Sequence, residues 1–96
     1  MLVLVTYDVS TMSPSGQKRL RKVAKICQNY GQRVQNSVFE IVLDASLLLI
    51  VKNKLLKAID PDTDSLRFYM LGSNYKSKVE HYGAKQGFDV TGPLIL

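Results

Sequence analysis

Ninety-six residues make one domain, spanning 1–96, with room for a single hydrophobic core. A hydrophobic fraction of 46 % excludes a disordered chain, and the longest apolar runs, Met1–Val5 and Leu47–Val51, are too short to span a bilayer. Net charge is +5 and unevenly placed: no acid falls between Asp8 and Glu40, where Lys18, Arg19, Arg21, Lys22, Lys25 and Arg33 stand. The remainder of the chain is close to neutral, so the cations form a one-sided patch of the kind that meets a polyanion. The competing reading, a solvated helix face, normally carries acids at i,i+4 spacing, and none interleave here. The lone Cys27 rules out an internal disulfide, and no basic stretch precedes the first apolar run. The expected setting is cytoplasmic, with no membrane partner.

In chain order, Met1–Val5 with Thr6 and Tyr7 reads as a short strand buried on both faces, ending at the first acid, Asp8. Ser10–Gly16 is a loop of turn formers. Ser13 is suited to the N-cap of a helix and Pro14 to its first position, although a start at Ser15 also fits because Gly16 falls in the first turn. Leu20, Val23, Ala24, Cys27 and Tyr30 share one helical face, with Lys18, Lys22 and Lys25 opposite. Gly31 is placed to end this helix in a left-handed conformation.

Gln32–Leu43 reads as extended, and Asn36-Ser37 either breaks it into two strands or bends one. Asp44 caps a second helix running to about Ile59, with Leu48, Val51, Leu55 and Ala58 or Ile59 inward, although Leu47–Val51 alone also fits a strand. Asp60-Pro61 stops it. Ser65–Gly72 is a further strand, Lys78–Tyr82 a short exposed strand paired to it, and Gly83–Gly87 a turn. The tail Phe88–Leu96 ends in aliphatics that need burial. This order implies an α+β fold, ferredoxin-like, with two helices on one face of a mainly antiparallel sheet.

Three strings carry a family likeness: Val5-Thr6-Tyr7-Asp8-Val9, Arg19-Leu20-Arg21-Lys22-Val23, and Tyr30-Gly31-Gln32-Arg33-Val34-Gln35-Asn36-Ser37-Val38-Phe39-Glu40. With the strand Leu66-Arg67-Phe68-Tyr69 they resemble CRISPR-associated protein two, the small adaptation protein that accompanies the CRISPR spacer integrase. The likeness covers essentially the whole chain and implies a homodimer in which the C-terminal strand joins the partner's sheet. It also implies a divalent-metal-dependent nuclease acting on double-stranded DNA or RNA. In that resemblance the catalytic and metal-binding carboxylate maps onto Asp8, the helix arginines onto Arg19 and Arg21, and the later arginine and phenylalanine onto Arg33 and Phe39.

One aspartate is a poor nuclease site alone, but Mg²⁺ keeps several waters and commonly takes only one or two protein carboxylates plus substrate phosphate. A two-fold dimer would supply two copies of Asp8 from one position, around Mg²⁺ or its substitute Mn²⁺. Without the ion the paired acids would repel and one would stay protonated, so activity should need the ion and rise with pH. Lys18, Arg19, Arg21, Lys22, Lys25 and Arg33 would hold phosphates, with Tyr7 and Phe39 packing in support. The alternative for Asp8 is a strand-end residue capping the Ser10–Ser13 loop. His81, the only histidine, is expected on an exposed strand rather than as a general base, and Cys27 in the core rather than as a nucleophile.

A non-catalytic reading competes with the nuclease: a DNA-binding scaffold that bridges integrase dimers and lays a duplex across its basic helices. An RNA-recognition module fits less well, because the basic-Gly-aromatic-Gly-aromatic string of such modules is absent. Double-stranded DNA is the preferred ligand, since a rigid line of helix charges matches duplex phosphates.

Overall fold

The computed structural model describes residues 1–83. The expected turn at Gly83–Gly87 beyond its first residue, the tail Phe88–Leu96 and the strand contributed to a partner lie outside these residues. Six elements follow one another: β1 (Leu2–Asp8), α1 (Pro14–Tyr30), β2 (Gln32–Gln35), β3 (Val38–Val42), α2 (Ala45–Ala58) and β4 (Ser65–Gly72). A short 3-10 turn at Lys76–Lys78 comes after them. Among the described residues the strands form one sheet in the order β2-β3-β1-β4, every neighbouring pair antiparallel. Both helices pack on one face of it, which is the ferredoxin-like arrangement expected from the sequence. No described helix is long and apolar enough to cross a membrane.

Strand β1 sits in the middle because it has the apolar content to be covered. Val3, Val5 and Tyr7 point into the layer between sheet and helices, where they meet Phe39 and Ile41 of β3 and Phe68 of β4. Val23 and Cys27 of α1 and Leu48, Val51 and Leu55 of α2 close that layer from above. The opposite face corrects the expectation of burial on both sides: Leu4 and Thr6 are only half-buried and Asp8 is exposed. The unbroken run of apolar residues reflects one fully covered face and one partly covered face.

Gln32–Leu43 resolves into two strands, with Asn36-Ser37 as the turn of a tight hairpin. The register shifts between Arg33 and Gln35, an irregularity that accommodates an odd residue on the β2 side. The carbonyl of Ser37 accepts from the Tyr7 amide at 3.1 Å, so the hairpin tip is stitched to the end of β1.

Helix α1 starts as its sequence dictates. Ser13 is extended, its Oγ accepts the Gly16 amide at 3.2 Å, and Pro14 occupies the first turn. Gly16 is buried against the preceding loop, and any Cβ there would run into the Ser10 carbonyl oxygen. Gly31 departs from the expected left-handed cap: its backbone is extended, with φ −157°. Its glycine is required by proximity instead, because a Cβ would collide with the Glu40 carbonyl and the Ile41 side chain of β3. The chain therefore passes from helix directly into strand without a reversal.

Helix α2 is capped by Asp44, whose carboxylate accepts the Leu47 amide at 2.8 Å, and it buries Leu48, Val51, Leu55 and Ala58. Beyond β4 the expected strand Lys78–Tyr82 does not form. Lys76–Lys78 coils into a 3-10 turn, the Lys78 ammonium donates to the Leu71 carbonyl at 3.0 Å, and Val79 to Tyr82 carry no strand pairing. A strand here would group Val79 with His81 and Tyr82 with Lys78 and Glu80, so neither side is apolar enough to lay on the sheet, and Val79 and Tyr82 are exposed.

Candidate nucleic-acid and metal site

Asp8 is the last residue of β1. The two-residue period of a strand places it with Leu4 and Thr6, on the face turned away from the helices. Its neighbour across the β1–β4 ladder is Ser65. Asp8 is exposed, and among the described residues no three His, Cys, Asp or Glu side chains cluster closely enough to form a metal cage. The donor chemistry of Asp8 still suits a hard cation that retains most of its water, one carboxylate from each of two chains being sufficient. The fit to Mg²⁺ or Mn²⁺ therefore depends on a second copy of the same residue.

Tyr7 faces the other way, into the core. Its ring stacks on Phe39 with centroids 6.1 Å apart, and its hydroxyl donates to the Asn36 carbonyl at 3.3 Å. Burial pushes its phenol upward in pKa, with Arg33 pulling the opposite way. Phe39 is completely buried, and the Arg33 guanidinium lies over its ring at 5.1 Å from the centroid. Tyr7 and Phe39 thus pack on each other beneath Arg33, in the core layer and on the face opposite Asp8. A shallow pocket of about 340 Å³ opens where Tyr7 and Asn36 meet α1, with Arg21 and Arg33 both on its lining. The fold brings these two arginines, distant in sequence, to one depression.

Lys18, Arg21, Lys22 and Lys25 are all exposed on α1, and Arg33 is exposed on β2. Among the described residues none of the five pairs with a carboxylate. Arg19 differs. Its Nε donates to the Asp64 carboxylate at 2.8 Å and its Nη2 to the other oxygen at 3.4 Å; Nη1 reaches Ser15 and Nη2 reaches Thr63, both at 3.4 Å. Of the six cations read as phosphate ligands, five are presented to solvent and one is folded onto an acid.

Asp64 draws no attention in the sequence, since Asp60-Pro-Asp-Thr-Asp64 reads as a turn and nothing in it points back to the helix. In the structure its side chain is wholly buried. Besides Arg19, its carboxylate accepts the amides of Ser10 at 3.0 Å and Asp60 at 2.8 Å, and the Thr63 hydroxyl at 3.2 Å. The Arg19 hydrogen bond, assisted by these donors against the cost of burial, holds the acid well below the usual carboxylate range.

His81 is exposed, its Nε2 3.0 Å from the Gly83 carbonyl, outside any strand. Cys27 is buried in the core, as expected, and burial pushes its thiol up to about 11.

The family described as "CRISPR associated protein Cas2" matches residues 1–79. The "CRISPR-associated endonuclease Cas2" of Halalkalibacterium halodurans is 63 % identical over 96 residues, the whole of both chains. The "CRISPR-associated endoribonuclease Cas2" of Chlorobaculum tepidum is 59 % identical, again over the whole of both. Among solved structures, Streptococcus pyogenes Cas2 at pH 6.5 superposes with a TM-score of 0.75 at 55 % identity, covering 86 % of this chain and all of that one.

Proposed function

We propose that this chain, which belongs to the CRISPR-associated Cas2 family, is a metal-dependent endonuclease that hydrolyses phosphodiester bonds, with double-stranded DNA favoured over RNA. The observation that carries the reading is the placement of Asp8: an exposed carboxylate at the end of the central strand, on the sheet face that the helices leave uncovered. A homodimer formed by apposing that face, with its two-fold axis passing beside the end of β1, would bring two copies of Asp8 together. A bound Mg²⁺ or Mn²⁺ would polarise a phosphate oxygen and acidify a water there.

The protein's own part is binding and orientation. Arg21 and Arg33, presented together, suit bidentate capture of phosphate, and Lys18, Lys22 and Lys25 extend the cationic surface along α1. Relatives carry both names, endonuclease and endoribonuclease, so the substrate class is set by experiment. The test is Asp8→Asn, assayed on linear duplex DNA and on single-stranded RNA with Mg²⁺. Cleavage should fall at least a hundredfold on the true substrate, and wild-type rates in the variant would remove Asp8 from the mechanism.

A second reading rests on the five exposed cations: a platform that carries a duplex between spacer-integrase dimers during spacer acquisition. The two readings coexist on one molecule, and acquisition that persists in Asp8→Asn would give the platform the larger role.

A further inference from the structure

Burying a charged side chain is costly unless its hydrogen-bonding capacity is filled, and an apolar residue of similar volume generally serves stability as well or better. Asp64 is the one charged residue in the buried class among the described residues, so its partners indicate what the charge is for. They come from three places: the loop leaving β1 (Ser10), helix α1 (Arg19), and the turn entering β4 (Asp60 and Thr63). Ser10 lies two residues after Asp8, and Ser65, the residue after Asp64, is the ladder partner of Asp8. The chain is therefore held on both sides of Asp8: directly behind it through the Ser10 amide, and across the sheet through the start of β4. The loop between Asp8 and α1 is tight as well, since Gly16 already sits against the Ser10 carbonyl.

We propose that Asp64, clamped by Arg19, is a positioning residue that fixes where the end of β1 delivers the Asp8 carboxylate, and that Arg19 acts through this clamp and not by touching phosphate. The inference rests on the reading of Asp8 as a cation ligand. Groups hydrogen-bonded directly to a metal ligand typically change metal affinity by about 10- to 100-fold when lost, and Asp64, which acts one step further back through the backbone, is expected at the lower end of that range. Asp64→Asn keeps the shape of the side chain but replaces one acceptor with a donor, which must face an amide or the guanidinium. Ser10→Pro removes the amide donor and leaves the Arg19 pair in place, while its ring also fixes φ at residue 10 and restricts Val9.

The experiment is Mn²⁺ titration by calorimetry on the full-length protein, for wild type, Asp8→Asn, Asp64→Asn and Ser10→Pro. Metal-free binding of a duplex and the melting temperature are recorded alongside. Asp64→Asn and Ser10→Pro should each weaken Mn²⁺ binding by about tenfold or more while duplex affinity without metal stays within twofold. Should Asp64→Asn fail to fold, Arg19→Ala, titrated alongside, decides with Ser10→Pro, because the two release Asp64 from opposite sides and only one alters the backbone near Asp8. Wild-type Mn²⁺ affinity in the folded variants, with Asp8→Asn abolishing it, would overturn the clamp and leave the Asp8 reading standing. Undiminished Mn²⁺ binding in Asp8→Asn would overturn that reading, and the clamp with it.

Discussion

Exchanging single arginines of α1 for alanine distinguishes cations that meet nucleic acid from those that do not. Electrostatic binding to duplex DNA releases counterions, so log K falls with log salt at a slope of about −0.9 per phosphate neutralised. Counting the five exposed cations gives a slope of about −4.5 for one engaged protomer surface, or roughly a 500-fold loss of affinity between 50 and 200 mM salt. Arg21→Ala should bring the slope to about −3.6 and the loss to roughly 150-fold. Arg19→Ala should leave the slope at the wild-type value, because its guanidinium already faces Asp64 and Thr63. Fluorescence anisotropy of a labelled duplex, with metal chelated to prevent cleavage, reads both variants. Circular dichroism confirms that each is folded at the temperature used. Arg19→Lys controls for lost packing: it keeps the charge but not the fork. Equal slope changes for Arg19→Ala and Arg21→Ala would refute the division of the basic surface into exposed and internally paired cations.

Other expectations bear on stability and reactivity. Gly31→Ala should lower stability by about 1–3 kcal/mol, visible as a reduced melting temperature, because the new methyl must displace the backbone of β3. Phe39→Ala should cost about 3–5 kcal/mol in denaturant unfolding and should raise the mobility of Arg33, which loses the ring beneath it. The depressed pKa of Asp64 means that the folded protein binds fewer protons than the unfolded chain near its ordinary value of 3.8. Its contribution to stability is therefore complete above that pH and declines as pH falls further, so acid titration of Asp64→Asn should show a shallower loss below about pH 4 than wild type. Cys27 should be unreactive towards thiol reagents at pH 8 in the folded protein and react fully after denaturation, since its pKa of about 11 leaves little thiolate.

The fold was legible because its determinants are local. Ser13-Pro14, the apolar spacing from Leu20 to Tyr30, and Asp44 all announce their elements within a few residues, and the structure uses each as expected. Gly31 was placed correctly and explained wrongly, for a physical reason. A glycine after a helix suggests a left-handed turn, whereas this one answers to β3, about ten residues further on and invisible in a local window. Lys78–Tyr82 alternates enough to suggest a strand, but lacks an apolar side to anchor it. Site residues divide along the same line. Asp8, the proposed cation ligand, is conspicuous as an acid closing an apolar strand, but a strand-end role fits the same residues equally well, and the family resemblance is what favours the site. Asp64 is not conspicuous, because its partners lie 45 and 54 positions away and its own neighbourhood reads as an ordinary turn. The family resemblance treats Arg19 and Arg21 alike, and the fold separates them.

Helix α1 carries a consequence for how ligand and stability are linked. Lys18 and Lys22, and Arg21 and Lys25, are like charges one turn apart, and the first turn holds no acid to complement the helix dipole. Each such pair opposes helix formation by a few tenths of a kcal/mol, roughly, so packing against the sheet must overcome the helix's self-repulsion. A polyanion laid along it relieves that repulsion. Heparin or duplex DNA should then protect the protein against heat, and strong salt should do so in part by screening alone, so the helix is at its least secure when it stands bare in dilute buffer.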